Sequence, residues 1–215
     1  RDADFLAQRA DVLGVELDCS TYSLARRGKV GSSMPQRLRS RKHPWGLPGL
    51  KPADQNRVQS SNYQTRAVFR RIKASIQRGA SGYLENPIGS ILWHLVRRAF
   101  SRELARGQAA FIETDMCCYG TSFMKPTRLL IWCSDPGSIN LPRCHMRNGI
   151  CGNSGRCHEQ LSSSTSCKGL SERGQWKTKL GQVYPKRFVS KLLSQFCRLP
   201  RSMRTPGSRH TTSTL

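Results

Sequence analysis

The segment Tyr83-Leu84-Glu85-Asn86-Pro87, followed by Ile-Gly-Ser-Ile-Leu-Trp-His-Leu up to residue 95, contains the transition on which the predicted fold depends. Its first two residues have the apolar character of a short strand, and Glu85, Asn86 and Pro87 form a polar turn. Residues 88–104 then repeat apolar side chains at helical spacing. A strand that leads through a turn into an amphipathic helix is the repeating unit of α/β proteins, so we predict that class.

Further elements of the same kind lie on both sides of this unit. Residues 12–17, 109–113 and 128–133 are short apolar runs that predict strands, and residues 61–77 have the spacing of a helix. Because strands and helices alternate along the chain, we expect a partial Rossmann-like parallel sheet with flanking helices.

Composition divides the chain into four predicted regions. Residues 1–134 form the α/β core, which contains a basic loop at 26–52 that four prolines interrupt. Residues 135–180 are an irregular Cys/His-rich segment, and 181–197 include an amphipathic helix that packs on the core. Residues 198–215 are a basic tail rich in Ser, Thr and Pro, which we predict to be disordered.

Charge is the most unusual property of the sequence. The chain has 36 Lys and Arg against 13 Asp and Glu, a formal net charge of +23. Such a surplus favours a polyanionic partner, and nucleic acid, in particular DNA, is the expected one. The alternative is an eroded reading frame whose arginines reflect base composition. The candidate DNA-contacting residues in the basic loop are Arg26, Arg27, Lys29, Arg37, Arg39, Arg41 and Lys42.

The sequence does not indicate a membrane or secreted protein. No apolar run approaches the roughly 18–20 residues of a membrane helix, and no signal segment opens the chain. The nine cysteines are an odd number and indicate reduced thiols or metal ligands rather than a disulfide framework. We expect an intracellular, nuclear location.

Three polar segments directly follow predicted strands: Cys19, Glu85 and residues 115–127. Ligand sites of open α/β sheets lie beyond the carboxyl ends of the strands, so these segments are expected to share one cleft. Cys19 is followed by cationic residues that favour a thiolate, and a partly desolvated Glu85 could act as a general acid. The alternatives are a small buried cysteine at a strand end and an acid that only favours a helix dipole.

Taken in order, these segments resemble the DNA cytosine-5 methyltransferases. The run of residues 19–26, Cys-Ser-Thr-Tyr-Ser-Leu-Ala-Arg, resembles the Pro-Cys loop, and Glu85-Asn86-Pro87 resembles the Glu-Asn-Val loop. Asp115-x-x-Cys118-Tyr-Gly with Lys125-Pro-Thr-Arg128 is similar to the Tyr-Gly and Gln-x-Arg-x-Arg segment. Divergent, mobile-element-associated members have the block Glu-Asn-Pro-x-x-Ser-x-Leu-Trp, which residues 85–93 reproduce in full. The resemblance covers roughly residues 12–133.

The resemblance implies a chemistry for these residues. Cys19 would add to carbon 6 of a cytosine flipped out of the duplex, and Glu85 would hydrogen-bond the ring nitrogen and exocyclic amine. Asn86 would shape its loop, and Lys125 or Arg128 would supply a cation near the base. The family's proline before the nucleophile is Asp18 here, which is expected to raise the thiol pKa.

The resemblance also implies S-adenosylmethionine as methyl donor. The family's Phe-x-Gly-x-Gly donor loop does not occur in the 18 residues before Cys19. We therefore expect either an amino-terminally incomplete methyltransferase domain or an inactive relic. The competing hypothesis is a non-enzymatic, basic nucleic-acid-binding module from a mobile element, in which Cys19 and Glu85 are structural.

A second group of residues has the chemistry of a zinc site. Zinc takes four Cys or His ligands in a tetrahedron, and a Gly-rich loop supplies the spacing Cys144-x6-Cys151-x6-His158. Cys118, beyond the third predicted strand, is the expected fourth ligand. The alternative is a set of reduced surface thiols without metal.

Overall fold

The structure, a computed structural model, describes residues 12–23, 36–159 and 183–198. The predictions that fall on other residues lie outside this part of the chain. They include the disordered tail after Arg198, the carboxyl-terminal part of the Cys/His-rich segment, and the candidate DNA contacts Arg26, Arg27 and Lys29.

A four-stranded mixed sheet forms the centre of the fold. Its strands are β1 (Val12–Glu16), β2 (Ser81–Pro87), β3 (Ala109–Asp115) and β4 (Pro126–Trp132), in the order β1-β2-β4-β3. β1 and β2 are parallel, whereas β4 pairs antiparallel with both β2 and β3. The α/β class is therefore confirmed, and the predicted parallel character is limited to one strand pair.

The short connection between β3 and β4 explains this departure. Only residues 116–125 join the two strands, and a parallel pair needs a crossover of about a dozen residues or more. The link must therefore reverse the chain. β4 takes the central position because Leu129–Trp132 form a continuous buried apolar run, which β3 lacks.

Three helices cover one face of the sheet: α1 (Pro52–Gln77), α2 (Leu92–Ala99) and α3 (Ser101–Ala105). α1 begins nine residues earlier than the predicted helix, because Pro52 is its first residue, where the missing N–H costs nothing. The second predicted helix divides at Phe100, whose φ of −115° departs from helical geometry. The core on this face includes Ile72, Leu84, Leu92, Val96, Phe100, Leu130 and Trp132.

α4 (Lys186–Arg198) packs on the opposite face through Phe188, Leu192 and Phe196. Leu129 and Ile131 of β4 contribute to the same core, together with a 3₁₀ helix, Met116–Tyr119, that follows β3. This arrangement brings α4 and the segment before it over the edge of the sheet where β1 and β2 end. No helix in the described ranges is long and apolar enough to span a bilayer.

Candidate active site and metal cluster

Cys19 and Glu85 lie at the same edge of the sheet because β1 and β2 are parallel. Glu85 pairs in register with Glu16, the last residue of β1, and Cys19 follows three residues later in a turn. The Cys19 carbonyl accepts a hydrogen bond from the Tyr22 N–H at 3.0 Å, which closes the turn. Glu85 belongs to β2 itself rather than to the predicted loop, so its position is fixed by the sheet ladder.

Lys125 brings the third predicted segment to this site. It directly precedes β4, and its Nζ lies 3.6 Å from Glu85 Oε1. Its backbone has φ 36°, a conformation that costs a side-chain-bearing residue free energy and that occurs often at functional sites. Three segments separated by 66 and 40 positions in the sequence therefore meet at one sheet edge, as the strand-end argument predicts.

Glu85 is only 4% exposed and has a second partner that the sequence did not predict. The hydroxyl of Tyr184, two residues before α4, donates a hydrogen bond to Glu85 Oε2. Lys125 Nζ also lies 4.9 Å from the centroid of the Tyr184 ring. Glu85 Oε1 has no hydrogen-bond partner among the described residues, because the lysine is beyond hydrogen-bonding distance.

The electrostatics of this edge favour a protonated thiol. Burial, and then the carboxylates of Asp18 and Glu85, raise the pKa of Cys19 above 9.0, while Lys125 opposes the shift. Asp18 thus acts in the expected direction, although burial is the larger cause. Burial and then Glu85 likewise raise the pKa of Glu16. The site therefore contains more carboxylates than cations within the described residues.

The other two residues that the resemblance implies have different positions. Asn86 is fully buried and donates from Nδ2 to the Leu17 carbonyl at 3.0 Å, which ties β2 to the chain after β1. Arg128 does not lie beside Glu85. Neighbouring strand residues point to opposite faces, and Leu129 is the partner of Glu85.

Arg128 instead belongs to an ion-pair network at the edge strand. Its Nε and Nη2 donate to Glu113 Oε1 at 3.0 and 2.5 Å, and its guanidinium lies 5.9 Å from the Trp93 ring. Arg143 pairs with Glu113 and with the buried Asp115. Of the two candidate cations, Lys125 alone is at the Cys19–Glu85 edge.

A Cys3His cluster lies next to this site. Ligand atoms of Cys117, Cys144, Cys151 and His158 lie within 4.8 Å of one another. Cys144 Sγ is 3.7 Å from both Cys151 Sγ and His158 Nε2. A tetrahedron with Zn–S of about 2.3 Å and Zn–N of about 2.0 Å has edges of about 3.5–3.8 Å, so the cluster can hold a metal ion such as zinc.

Cys117 replaces the predicted ligand Cys118. The two residues are consecutive in the 3₁₀ helix, where successive side chains project about 120° apart, so only one of them can face the cluster. Cys118 Sγ instead accepts a hydrogen bond from Asn153 Nδ2 at 3.2 Å. Residue spacing alone could not separate two adjacent cysteines.

The thiols of the cluster differ in acidity. Burial raises the pKa of Cys117, whereas a hydrogen bond from the Ser154 hydroxyl, together with nearby backbone N–H groups, lowers the pKa of Cys151 to about 5. A divalent cation binds thiolates, so its binding would release the remaining thiol protons.

An open cleft of about 430 Å³ lies between Lys125 of the first site and His158 of the Cys3His cluster. Pro126, the first residue of β4, lines the cleft beside Lys125. Phe123, Met124 and Met146 give its wall an apolar character.

The described part of the basic loop, residues 36–51, presents only some of its predicted DNA contacts. Arg37, Arg41 and Lys42 are exposed. Arg39 is 1% exposed, and its guanidinium donates to Pro44 O and Asn62 Oδ1 at 2.9 and 2.7 Å. Arg39 therefore stabilises the fold and does not present its charge to a phosphate.

Two residues of the site, Glu16 and Tyr184, were not among the sequence candidates. Glu16 could have been found from strand register, since it is the last residue of a strand parallel to β2. Tyr184 had no local signal, because its contact with Glu85 spans 99 residues.

Comparisons with protein-family models, curated proteins and solved structures found no match to this chain.

Proposed function

We propose that this chain is a DNA-binding domain of the cytosine-5 methyltransferase type, in which Cys19, Glu85 and Lys125 act on a flipped cytosine. The observation that supports the proposal most is the meeting of these three residues at one sheet edge. They come from the three segments on which the resemblance rests, which lie 66 and 40 positions apart in the sequence.

The proposed chemistry uses each residue for one task. Cys19 Sγ gives up its proton to solvent or to a neighbouring carboxylate and forms a bond to carbon 6 of the cytosine. The double bond between carbons 5 and 6 opens, and its electron pair moves to carbon 5 and through the ring to nitrogen 3, where a proton is taken up. Glu85 binds the amino edge of the ring, and a proton shared between its carboxyl group and ring nitrogen 3 stabilises the negative charge that develops as the thiolate adds. Lys125, whose Nζ lies 3.6 Å from Glu85 Oε1, pairs with the Glu85 carboxyl group and orients it.

The donor S-adenosylmethionine is not assigned to any described residue. Gly14, the one glycine in β1, lies mid-strand with the Tyr83 ring against it, and a Cβ there would be 2.9 Å from Tyr83 Oη. This position cannot cradle a cofactor, so we derive no step through the donor. The proposal concerns the addition of the thiol to the base.

A covalent-trapping experiment tests the addition without the donor. DNA that contains 5-azacytosine has a more electrophilic carbon 6, and an adduct with it survives on a denaturing gel and can be located by mass spectrometry. We expect an adduct at Cys19 that disappears in Cys19→Ala and persists in Cys197→Ala, a matched exposed cysteine on α4. DNA binding without any adduct at pH 9, where more of the thiol is ionised, would refute Cys19 as the nucleophile.

The Cys3His cluster favours a second candidate function, a zinc-stabilised nucleic-acid-binding module. Residues 143–158, which carry three of the four ligands, contain no acidic residue. Arg147 and Arg156 are exposed on this segment, and Met146 and Ile150 are 52% and 45% exposed. A rigid basic loop with exposed apolar side chains suits contact with phosphates and bases.

Zinc content and salt dependence test this candidate. Protein purified without chelator is expected to contain about one zinc per chain, with a loss in Cys117→Ser and none in Cys118→Ser. DNA affinity should fall steeply with salt, and a less steep slope is expected in Arg147→Ala. Zinc below about half an equivalent would exclude the metal. DNA affinity that survives Cys19→Ala, without adduct formation in the wild type, would favour this function over the first.

A further inference from the structure

Tyr184 lies where a ligand of Glu85 would be expected to bind. Its aromatic ring has Lys125 Nζ at 4.9 Å on its face and the Glu85 carboxylate at its hydroxyl. The ring also packs against Phe188 of α4, with 5.5 Å between the centroids. The pair of the buried Glu85 and the partly buried Lys125 therefore already holds a planar six-membered ring with a hydrogen-bond donor on its edge.

The phenol of Tyr184 leaves one oxygen of the Glu85 carboxyl group without a hydrogen bond. It offers one donor, and Glu85 Oε1 has no hydrogen-bond partner in the described part of the chain although Glu85 is 4% exposed. A buried carboxyl oxygen that accepts no hydrogen bond is costly even beside a cation, and a ligand with more than one donor on its edge would remove that cost. An amino-substituted heterocycle has this property, because its amine carries two N–H groups.

We propose that Tyr184 is an internal occupant of a binding site for a planar, amino-substituted pyrimidine, and that the ligand must displace it. This inference rests on the proposed function, since it places the base at Glu85. Burial and then the Glu85 carboxylate raise the pKa of Tyr184, so the hydroxyl remains a donor throughout the physiological pH range.

The position of Tyr184 permits such a displacement. It precedes α4 and is only partly buried, and its neighbour Val183 is 74% exposed. The helix is held separately by the buried Phe188, Leu192 and Phe196. The ring can therefore leave Glu85 while α4 stays packed. Affinity for the ligand is reduced by the fraction of molecules in which the ring is bound, and removal of the ring should restore it.

The test measures binding of 2′-deoxycytidine 5′-monophosphate by calorimetry, in a Cys19→Ala background that excludes covalent capture. We expect Tyr184→Ala to bind at least about tenfold more tightly than this parent. Tyr184→Phe, which keeps the ring and loses the hydroxyl, should show a smaller gain. Val183→Ala should match the parent, and Glu85→Gln added to Tyr184→Ala should abolish the gain.

Equal or weaker binding by Tyr184→Ala would overturn the inference, and Tyr184→Phe provides the same test should the alanine variant unfold. The outcome is separable from the proposed function. An adduct at Cys19 without any gain in nucleotide binding would refute only the role of Tyr184. A gain in nucleotide binding without an adduct would support the binding site and refute the addition of Cys19 to the base.

Discussion

Replacement of Arg39 should reduce stability rather than weaken contact with DNA. The guanidinium is 1% exposed and donates to Pro44 O, to Asn62 Oδ1 and, at 3.2–3.3 Å, to Thr21 Oγ1. It also lies 3.9 Å from the centroid of the Tyr22 ring. These contacts link the described end of the basic loop, α1 and the turn that contains Cys19.

The expected cost of Arg39→Ala follows from these contacts. The substitution leaves the Pro44 carbonyl and the Asn62 side chain without a buried donor, at about 1 kcal/mol each or more. The lost cation–π contact adds about 1 kcal/mol. Recovery of the desolvation cost of a buried charge offsets part of the cavity left behind. We expect a net loss of about 3 kcal/mol in the free energy of unfolding.

Urea unfolding followed by circular dichroism measures this loss, with Arg41→Ala as a matched, exposed control that should change stability by less than about 0.5 kcal/mol. A loss below about 1 kcal/mol for Arg39→Ala would refute the reasoning. A phosphate contact predicts the opposite pattern, with unchanged stability and a salt slope of DNA binding that is smaller by about one.

Three further predictions follow from the same structure. Asp18→Asn removes a carboxylate that raises the pKa of Cys19, so alkylation of this thiol at pH 8 should be about two- to fivefold faster; an unchanged rate would contradict the assigned cause. Gly82→Ala would place a Cβ 2.3 Å from a tryptophan ring, so it should lower the free energy of unfolding in urea by more than about 3 kcal/mol. Gly49→Ala, in open space at φ +69°, should lower it by about 1 kcal/mol. Equal losses would show that the sheet shifts to accommodate the added methyl group. Burial raises the pKa of Glu113, but hydrogen bonds from two arginines lower it below 4.5 on balance. The ionised Glu113 therefore stabilises the fold above pH 4.5, and this contribution is lost as the pH falls through the folded-state pKa. The difference in free energy of unfolding between wild type and Glu113→Gln should shrink from pH 7 to pH 3, and a constant difference would refute the assignment.

The elements of the fold could be predicted from local pattern, but the direction and order of the strands could not be read from the same pattern. Apolar runs and helical spacing located all four strands and the amphipathic helices. The antiparallel β3–β4 pair was implied by the ten-residue link between them, a constraint that strand alternation alone ignores. The insertion of β4 between β2 and β3 depends on which strand is most completely buried, which is a property of the assembled core.

The sequence allowed prediction of those residues of the candidate site that lie at the ends of strands. Cys19, Glu85 and Lys125 converge because parallel strands end at one edge and β4 begins there. Two features required three-dimensional information. The choice of Cys117 depends on the phase of a single 3₁₀ turn, and the Tyr184 contact depends on how α4 docks across the sheet.

Under the proposed function, the distribution of charge would let one chain attract DNA and yet admit only a base to its site. The net charge of +23 favours association with a polyanion, and the exposed Arg37, Arg41 and Lys42 present part of that charge. Among the described residues of the sheet edge, the carboxylates of Glu16, Asp18 and Glu85 outnumber the single nearby cation, Lys125, and would repel a phosphate. A neutral ring with an amino edge is not repelled in this way, and it can donate to Glu85 Oε1, which accepts no hydrogen bond from the described residues. The same carboxylates disfavour the Cys19 thiolate, so in the proposed chemistry thiol addition depends on a bound cytosine whose amino group donates a hydrogen bond to Glu85 and reduces its effect on the thiol.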